Sequence, residues 1–130
     1  MLYMHHKILL VDDNVDLLMI TQIILKSQGY ETAIALSLQE AERKIKIYQP
    51  LLILLDVCIG HEQGDSFCKS LKSNPDTSNI RVILMSGDDC RENMQTGDDF
   101  LAKPFDYNEL VEKVNKQMSL AKDNRTLIPS

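Results

Sequence analysis

The chain has 130 residues, 44% of them apolar and 25% charged; that is the length of one domain with enough apolar material for a core, and it disfavours disordered, collagen-like and fibrous states. Its 19 acidic against 14 basic residues leave a formal charge of -5, which argues against a surface built to neutralise nucleic-acid phosphates. The longest apolar runs, 8–11 and 51–55, fall far short of the roughly 20 residues that cross a bilayer, so neither nucleic acid nor membrane is an expected partner.

Residues 1–6 carry His5 and His6 but no charged start, apolar stretch or small-residue cleavage site, and read as a solvated leader. Residues 7–11, apolar from Ile8 onward, run into Asp12 and Asp13, the pattern of a strand buried on both faces of a parallel sheet. From 14 to 28, Val15, Leu18, Met19, Ile24 and Leu25 recur at helical spacing and Gly29 supplies the stop. Residues 30–35 alternate as a strand; Ser37 with Glu40 forms a capping-box signature for a helix to about Tyr48, which Pro50 ends. A second buried run, 51–55, closes on Asp56. Gly60 and Gly64 read as residues that loosen the next loop, and 65–73 carries Phe67, Cys68 and Leu71 on one helical face before Asn74-Pro75.

A third run, 80–85, apolar apart from Arg81, closes on Ser86-Gly87. Only 88–96 is then free to run back across the sheet before Gly97. A five-residue strand spans about 17 Å, which a helix needs roughly 11 residues to retrace. Cys90 and Met94 are the sole apolar pair at helical spacing there, so a short or irregular fourth helix, the least protected crossover, is expected. A last strand, 100–103, runs to Lys103-Pro104; Asp106 with Glu109 caps a final helix to about Leu120, and 121–130 reads as a frayed tail. Five strands alternating with helices define an α/β domain over 7–120, a doubly wound, mostly parallel sheet.

In such sheets the functional crevice lies beyond the carboxyl ends of the strands. Four of those ends deliver Asp12 and Asp13, Asp56, Ser86 and Lys103. Three carboxylates and one ammonium leave a charge of -2 that calls for a divalent cation, and oxygen ligands with room for water suit magnesium. Such a site admits a phosphoryl group: a carboxylate can act as nucleophile to form an aspartyl-phosphate, while the metal and Lys103 neutralise phosphoryl oxygens and the Ser86 hydroxyl donates to another. G-x-G-x-x-G and G-x-x-x-x-G-K-[ST] are both absent, which removes dinucleotide binding and P-loop hydrolysis. The acids Asp12 and Asp13 would repel a flavin phosphate. An aspartate-nucleophile phosphatase needs a second carboxylate two residues on, where Cys58 stands. Cys58, Cys68 and Cys90 are odd in number with no C-x-x-C pair, so no disulfide is expected, Cys58 reads as a small apolar filler, and the compartment as a reducing cytoplasm.

Ile8-Leu9-Leu10-Val11-Asp12-Asp13-Asn14, Leu54-Leu55-Asp56-Val57, Met85-Ser86-Gly87 and Asp98 through Phe105 together resemble the receiver domain of two-component response regulators. The resemblance implies a flavodoxin-like order of five parallel strands, with Asp56 as phosphoacceptor, Asp12, Asp13 and Asp56 as magnesium ligands, Ser86 and Phe100 as switch residues and Lys103 as the phosphoryl-pairing lysine. It also implies a cis bond before Pro104. The chain departs from the family's usual Met-Pro with Cys58-Ile59-Gly60, and the stretch from Ser86 to Lys103 is shorter than usual. The implied function is a stand-alone cytoplasmic receiver, not a turnover enzyme. It would take a phosphoryl group from a histidine kinase or histidine phosphotransfer protein, change its binding to a downstream protein target, and act as a monomer or weak dimer. The alternatives are a phosphate-independent interaction module, which would have lost an acid or the lysine, and the phosphatase.

Overall fold

The computed structural model describes residues 6–60, 62–87 and 96–126. The elements run β1 (Lys7–Val11), α1 (Val15–Ser27), β2 (Glu31–Ala35), α2 (Leu38–Tyr48), β3 (Leu52–Asp56), β4 (Cys58–Ile59), β5 (Glu62–Gln63), α3 (Gly64–Ser73), β6 (Arg81–Ser86), β7 (Asp99–Ala102) and α4 (Tyr107–Thr126). Five strands form one parallel sheet in the order β2-β1-β3-β6-β7. The chain reverses its direction of travel across the sheet between β1 and β3, and that switch point places the crevice.

The continuous apolar runs become strands because both faces are covered. Ile8, Leu10, Leu52, Leu54, Ile83, Met85 and Leu101 pack with Leu18 and Leu25 of α1 and Leu110, Val114 and Met118 of α4. On the opposite face Leu9, Val11, Ile53, Leu55, Val82 and Leu84 pack with Ala41 and Ile45 of α2 and Cys68 and Leu71 of α3. Each fully buried aliphatic side chain contributes about 1.5–3 kcal/mol, so the three central strands, with hardly an exposed residue between them, hold the acid-bearing edge rigid.

The expected caps form. Asn14 Oδ1 accepts from the Leu17 N–H at 3.1 Å, Ser37 Oγ from the Glu40 N–H at 3.1 Å, and Asp106 Oδ1 from the Glu109 N–H at 2.7 Å. Gly29 stops α1 with φ +92°, a conformation that favours glycine.

Three local readings are corrected. α4 continues through Thr126 rather than fraying from 121, because Ala121 extends the Leu110, Val114, Met118 stripe into the core. The segment after β3 is a small antiparallel hairpin, Cys58 beside Gln63 and Ile59 beside Glu62, rather than a plain loop. Gly64 does not loosen it: a Cβ there would stand 2.1 Å from the Asp56 carbonyl oxygen, and the Gly64 N–H donates to the Val57 carbonyl at 2.6 Å. The glycine is a close-approach residue that starts α3 against the end of β3. The expected short fourth helix, with Cys90 and Met94, and most of the leader lie outside the described residues.

Candidate functional site

Register aligns the strand ends: Val11 beside Leu55, Asp56 beside Met85, Ser86 beside Ala102. The residues that follow, Asp12, Asp13 and Lys103, therefore meet Asp56 and Ser86 at one edge. Asp12 and Ser86 are fully buried and Asp56 is 6% exposed, whereas Asp13 faces solvent. One carboxylate oxygen from each of Asp12, Asp13 and Asp56 lies within 4.8 Å of the other two.

The surrounding donors orient these acids. Asp12 Oδ1 accepts from the Asn14 N–H at 3.0 Å and its Oδ2 from Lys103 Nζ at 2.7 Å. Lys103 Nζ reaches Asp56 Oδ2 at 3.3 Å, so the ammonium leans towards Asp12. The Cys58 N–H donates to Asp56 Oδ1 at 3.1 Å and the Gly60 N–H to Asp13 Oδ2 at 3.0 Å. The β4–β5 hairpin thereby fixes two acids through its backbone, whatever its side chains.

Charge is out of balance here. Burial pushes the Asp56 carboxyl up to about 6, the Asp12 charge adds to the rise, and Lys103 and the Cys58 N–H offset only part of it. Burial works against the Lys103 ammonium, yet its hydrogen bond to Asp12 and the charges of Asp56 and Asp12 hold it above the usual lysine range. One cation is too few for three acids. The donor set, all hard carboxylate oxygens with one solvent-facing side, fits magnesium and lacks the thiolate or imidazole that would select a softer metal.

Ser86 Oγ donates to its neighbour's carbonyl, Gly87 O, at 3.0 Å. Phe100, on the edge strand β7, is 50% exposed. The Lys103-Pro104 bond is cis, as the resemblance implied. Cys58 is disulfide-bonded, against the expectation that no cysteine pairs; an odd count requires only one thiol left over, and buried Cys68 is free. The backbone donors of Cys58 and Gly60 and the close approach of Gly64 were not read from sequence. Gly64 left a usable signal, a glycine immediately before a helical run; the two N–H groups left none.

The response regulator receiver domain family matches residues 8–115 of this chain. The chain belongs to that family, whose members are phosphoacceptors of two-component signalling and generally not classic enzymes. Receivers interact with histidine kinases and effector domains and typically bind magnesium at an acidic pocket; in this chain Asp12, Asp13 and Asp56 cluster at the sheet edge. The DNA-binding response regulator MtrA of Mycolicibacterium paratuberculosis is 28% identical over 120 residues, 88% of this chain and 52% of that protein. Adventurous-gliding motility protein Z of Myxococcus xanthus is 28% identical over 82% of this chain, which matches 8% of it. The chain thus spans about half or less of the length of these relatives. Among solved structures, the signal receiver domain of a signal transduction histidine kinase from Syntrophus aciditrophicus is 31% identical with a TM-score of 0.80, covering 88% of this chain and 90% of that one. A response regulator receiver domain protein from Methanospirillum hungatei is 25% identical with a TM-score of 0.82, covering 91% and 97%. Among the described residues no helix is long and apolar enough to cross a membrane.

Proposed function

We propose that residues 7–120 form a phosphorylation-controlled receiver whose phosphoacceptor is Asp56. The observation that carries this reading is the placement of Asp56: a nearly buried carboxylate at the end of the central strand, with Lys103 Nζ at 3.3 Å and two further acids within metal-sharing distance. A carboxylate oxygen of Asp56 attacks phosphorus as the bond to the donor's imidazole nitrogen breaks, and an acyl phosphate remains. Asp12, Asp13 and Asp56 would hold magnesium, which supplies charge neutralisation for the phosphoryl oxygens. Lys103 shifts its ammonium from Asp12 towards the new phosphoryl oxygens. Ser86 turns its hydroxyl from Gly87 O to another of them, and Phe100 moves inward into the space beside it, a population shift that alters the binding face.

The donor is a histidine kinase or histidine phosphotransfer protein, in the cytoplasm, the compartment that supplies it; a downstream protein target reads the change. Val15, Met19, Ile20 and Ile23 are exposed along α1, directly after the acidic turn, and offer the donor an apolar landing surface. Intact mass after incubation with magnesium and acetyl phosphate tests the assignment. One phosphoryl mass should appear, and it should be absent in Asp56→Asn and in excess chelator. Labelling that survives either condition would refute it, and no labelling of the wild type would favour the phosphate-independent module.

A further inference from the structure

Lys113 lies outside the acidic site, yet its contacts converge on Phe100. Register pairs Phe100 with Leu84 and Ala102 with Ser86, and alternation puts all four side chains on the face covered by α2 and α3. The Phe100 ring is not packed into that face; it is half exposed. Lys113, from α4 on the other face, reaches round the edge strand and sets its ammonium 4.8 Å from the ring centroid. The same Nζ donates to Phe100 O at 2.6 Å and pairs with Asp99 Oδ1 at 3.4 Å. Asp99 Oδ1 in turn accepts from the Phe100 N–H at 2.8 Å. Ring, carbonyl and amide of one residue are thus held by a single ion pair.

We propose that Lys113 is a latch on the outward position of Phe100, a positioning residue that sets how much of the chain occupies the switched state before Asp56 is modified. The proposal rests on the reading of Phe100 as the switch aromatic for the inward position of the ring; the outward position is the one held here. An exposed ammonium over an aromatic face biases the equilibrium outward by roughly two- to fivefold. Apparent affinity scales with the competent fraction, so releasing the latch raises affinity for a phosphoryl mimic by the same factor.

The experiment uses the full chain as wild type, Lys113→Met, which keeps the stem but removes the charge, and Lys113→Arg, which keeps a cation for the ring. Phenylalanine ring signals are followed by NMR without any mimic and then through a titration with beryllofluoride in magnesium. In Lys113→Met the Phe100 signals should move, before any addition, part of the way to their positions in saturated wild type. The beryllofluoride midpoint should fall two- to fivefold, and Lys113→Arg should stay with wild type. Unchanged ring signals and midpoint in Lys113→Met would overturn the latch, as would Lys113→Arg behaving like Lys113→Met. Wild type that binds no beryllofluoride would sink the phosphoacceptor reading instead. The latch is then decided by a soluble paramagnetic agent: equal broadening of the Phe100 ring in wild type and Lys113→Met refutes it, and reduced broadening in the variant supports it. The Lys113 side chain is about one-quarter exposed, and matching thermal melts check that the variants fold alike.

Discussion

Replacing Asp56 by Asn should make the protein more stable at pH 7, by an amount the site's electrostatics bound. The carboxyl rises from an ordinary 3.8 to about 6, with burial as the largest cause and Asp12 next. At about 1.4 kcal/mol per unit, the charged form at neutral pH costs at most about 3 kcal/mol. The folded state of this raised acid holds its proton more tightly than the unfolded chain. Its contribution to stability therefore falls as pH rises from about 4 to about 6 and is level above. Asn keeps an acceptor for the Cys58 N–H, and Lys103 keeps its shorter bond to Asp12. For a chain of this length about 1 kcal/mol moves the melting temperature by roughly 4 °C. Thermal melts in chelator should show Asp56→Asn up to about 10 °C above wild type at pH 7, the gap closing by pH 4. Magnesium should narrow it from the other side by stabilising wild type more than the variant. A variant no more stable at pH 7, or a gap that does not change between pH 4 and pH 7, would refute the claim that surplus negative charge is built into the edge.

Lys103→Met should cost about 3 kcal/mol in chelator, because buried Asp12 loses its counter-charge, yet the variant should still bind magnesium; denaturant unfolding with and without the metal measures both. Gly64→Ala forces a methyl against the Asp56 carbonyl oxygen, where the Cβ would stand at 2.1 Å, and should cost about 2 kcal/mol or more by the same unfolding assay. Ser86→Ala should still accept a phosphoryl group on Asp56, read by intact mass, but lose the Phe100 ring response seen by NMR.

The five strands and the four described helices of the main fold were legible because each is a local pattern: an apolar run for a strand covered on both faces, a cap and a 3.6-residue stripe for a helix. The acids and Lys103 were legible for the same reason, since each follows an apolar run. What escaped was set by distance in the chain. The Gly60 N–H meets Asp13 across 47 residues, and Lys113 meets Phe100 only once α4 has packed beside the edge strand. The tail was misread because the small side chain of Ala121 carries little periodic signal, although no larger residue is needed to fill that place in the core. The odd cysteine count led to an expectation of no disulfide, which Cys58 overturns; parity excludes only a fully paired set.

The contrast between β3 and β7 explains how a charge change at one carboxylate can reach the surface. β3 is bonded on both sides, to β1 and β6, and all five of its residues are buried. Moving Asp56 would strain two ladders and two packed faces, so new charge there must be met by its neighbours. In the proposed reading the side chains of Lys103 and Ser86 answer it, and their backbones are joined: the Lys103 N–H donates to Ser86 O at 2.7 Å, immediately past the last β6–β7 pair. β7 is a four-residue edge strand bonded only to β6. A pull on Lys103 towards Asp56 therefore loads the element least held by the sheet, and Phe100 stands three residues upstream on it. On the proposed latch, the Asp99–Lys113 pair adds to the single β6–β7 ladder in opposing that pull. In the proposed reading the phosphoryl group thus works against an ion pair and a cation–ring contact rather than against the core. Each exposed contact of that kind is worth about 1 kcal/mol or less, within what a few charge-assisted hydrogen bonds to a phosphoryl group can supply.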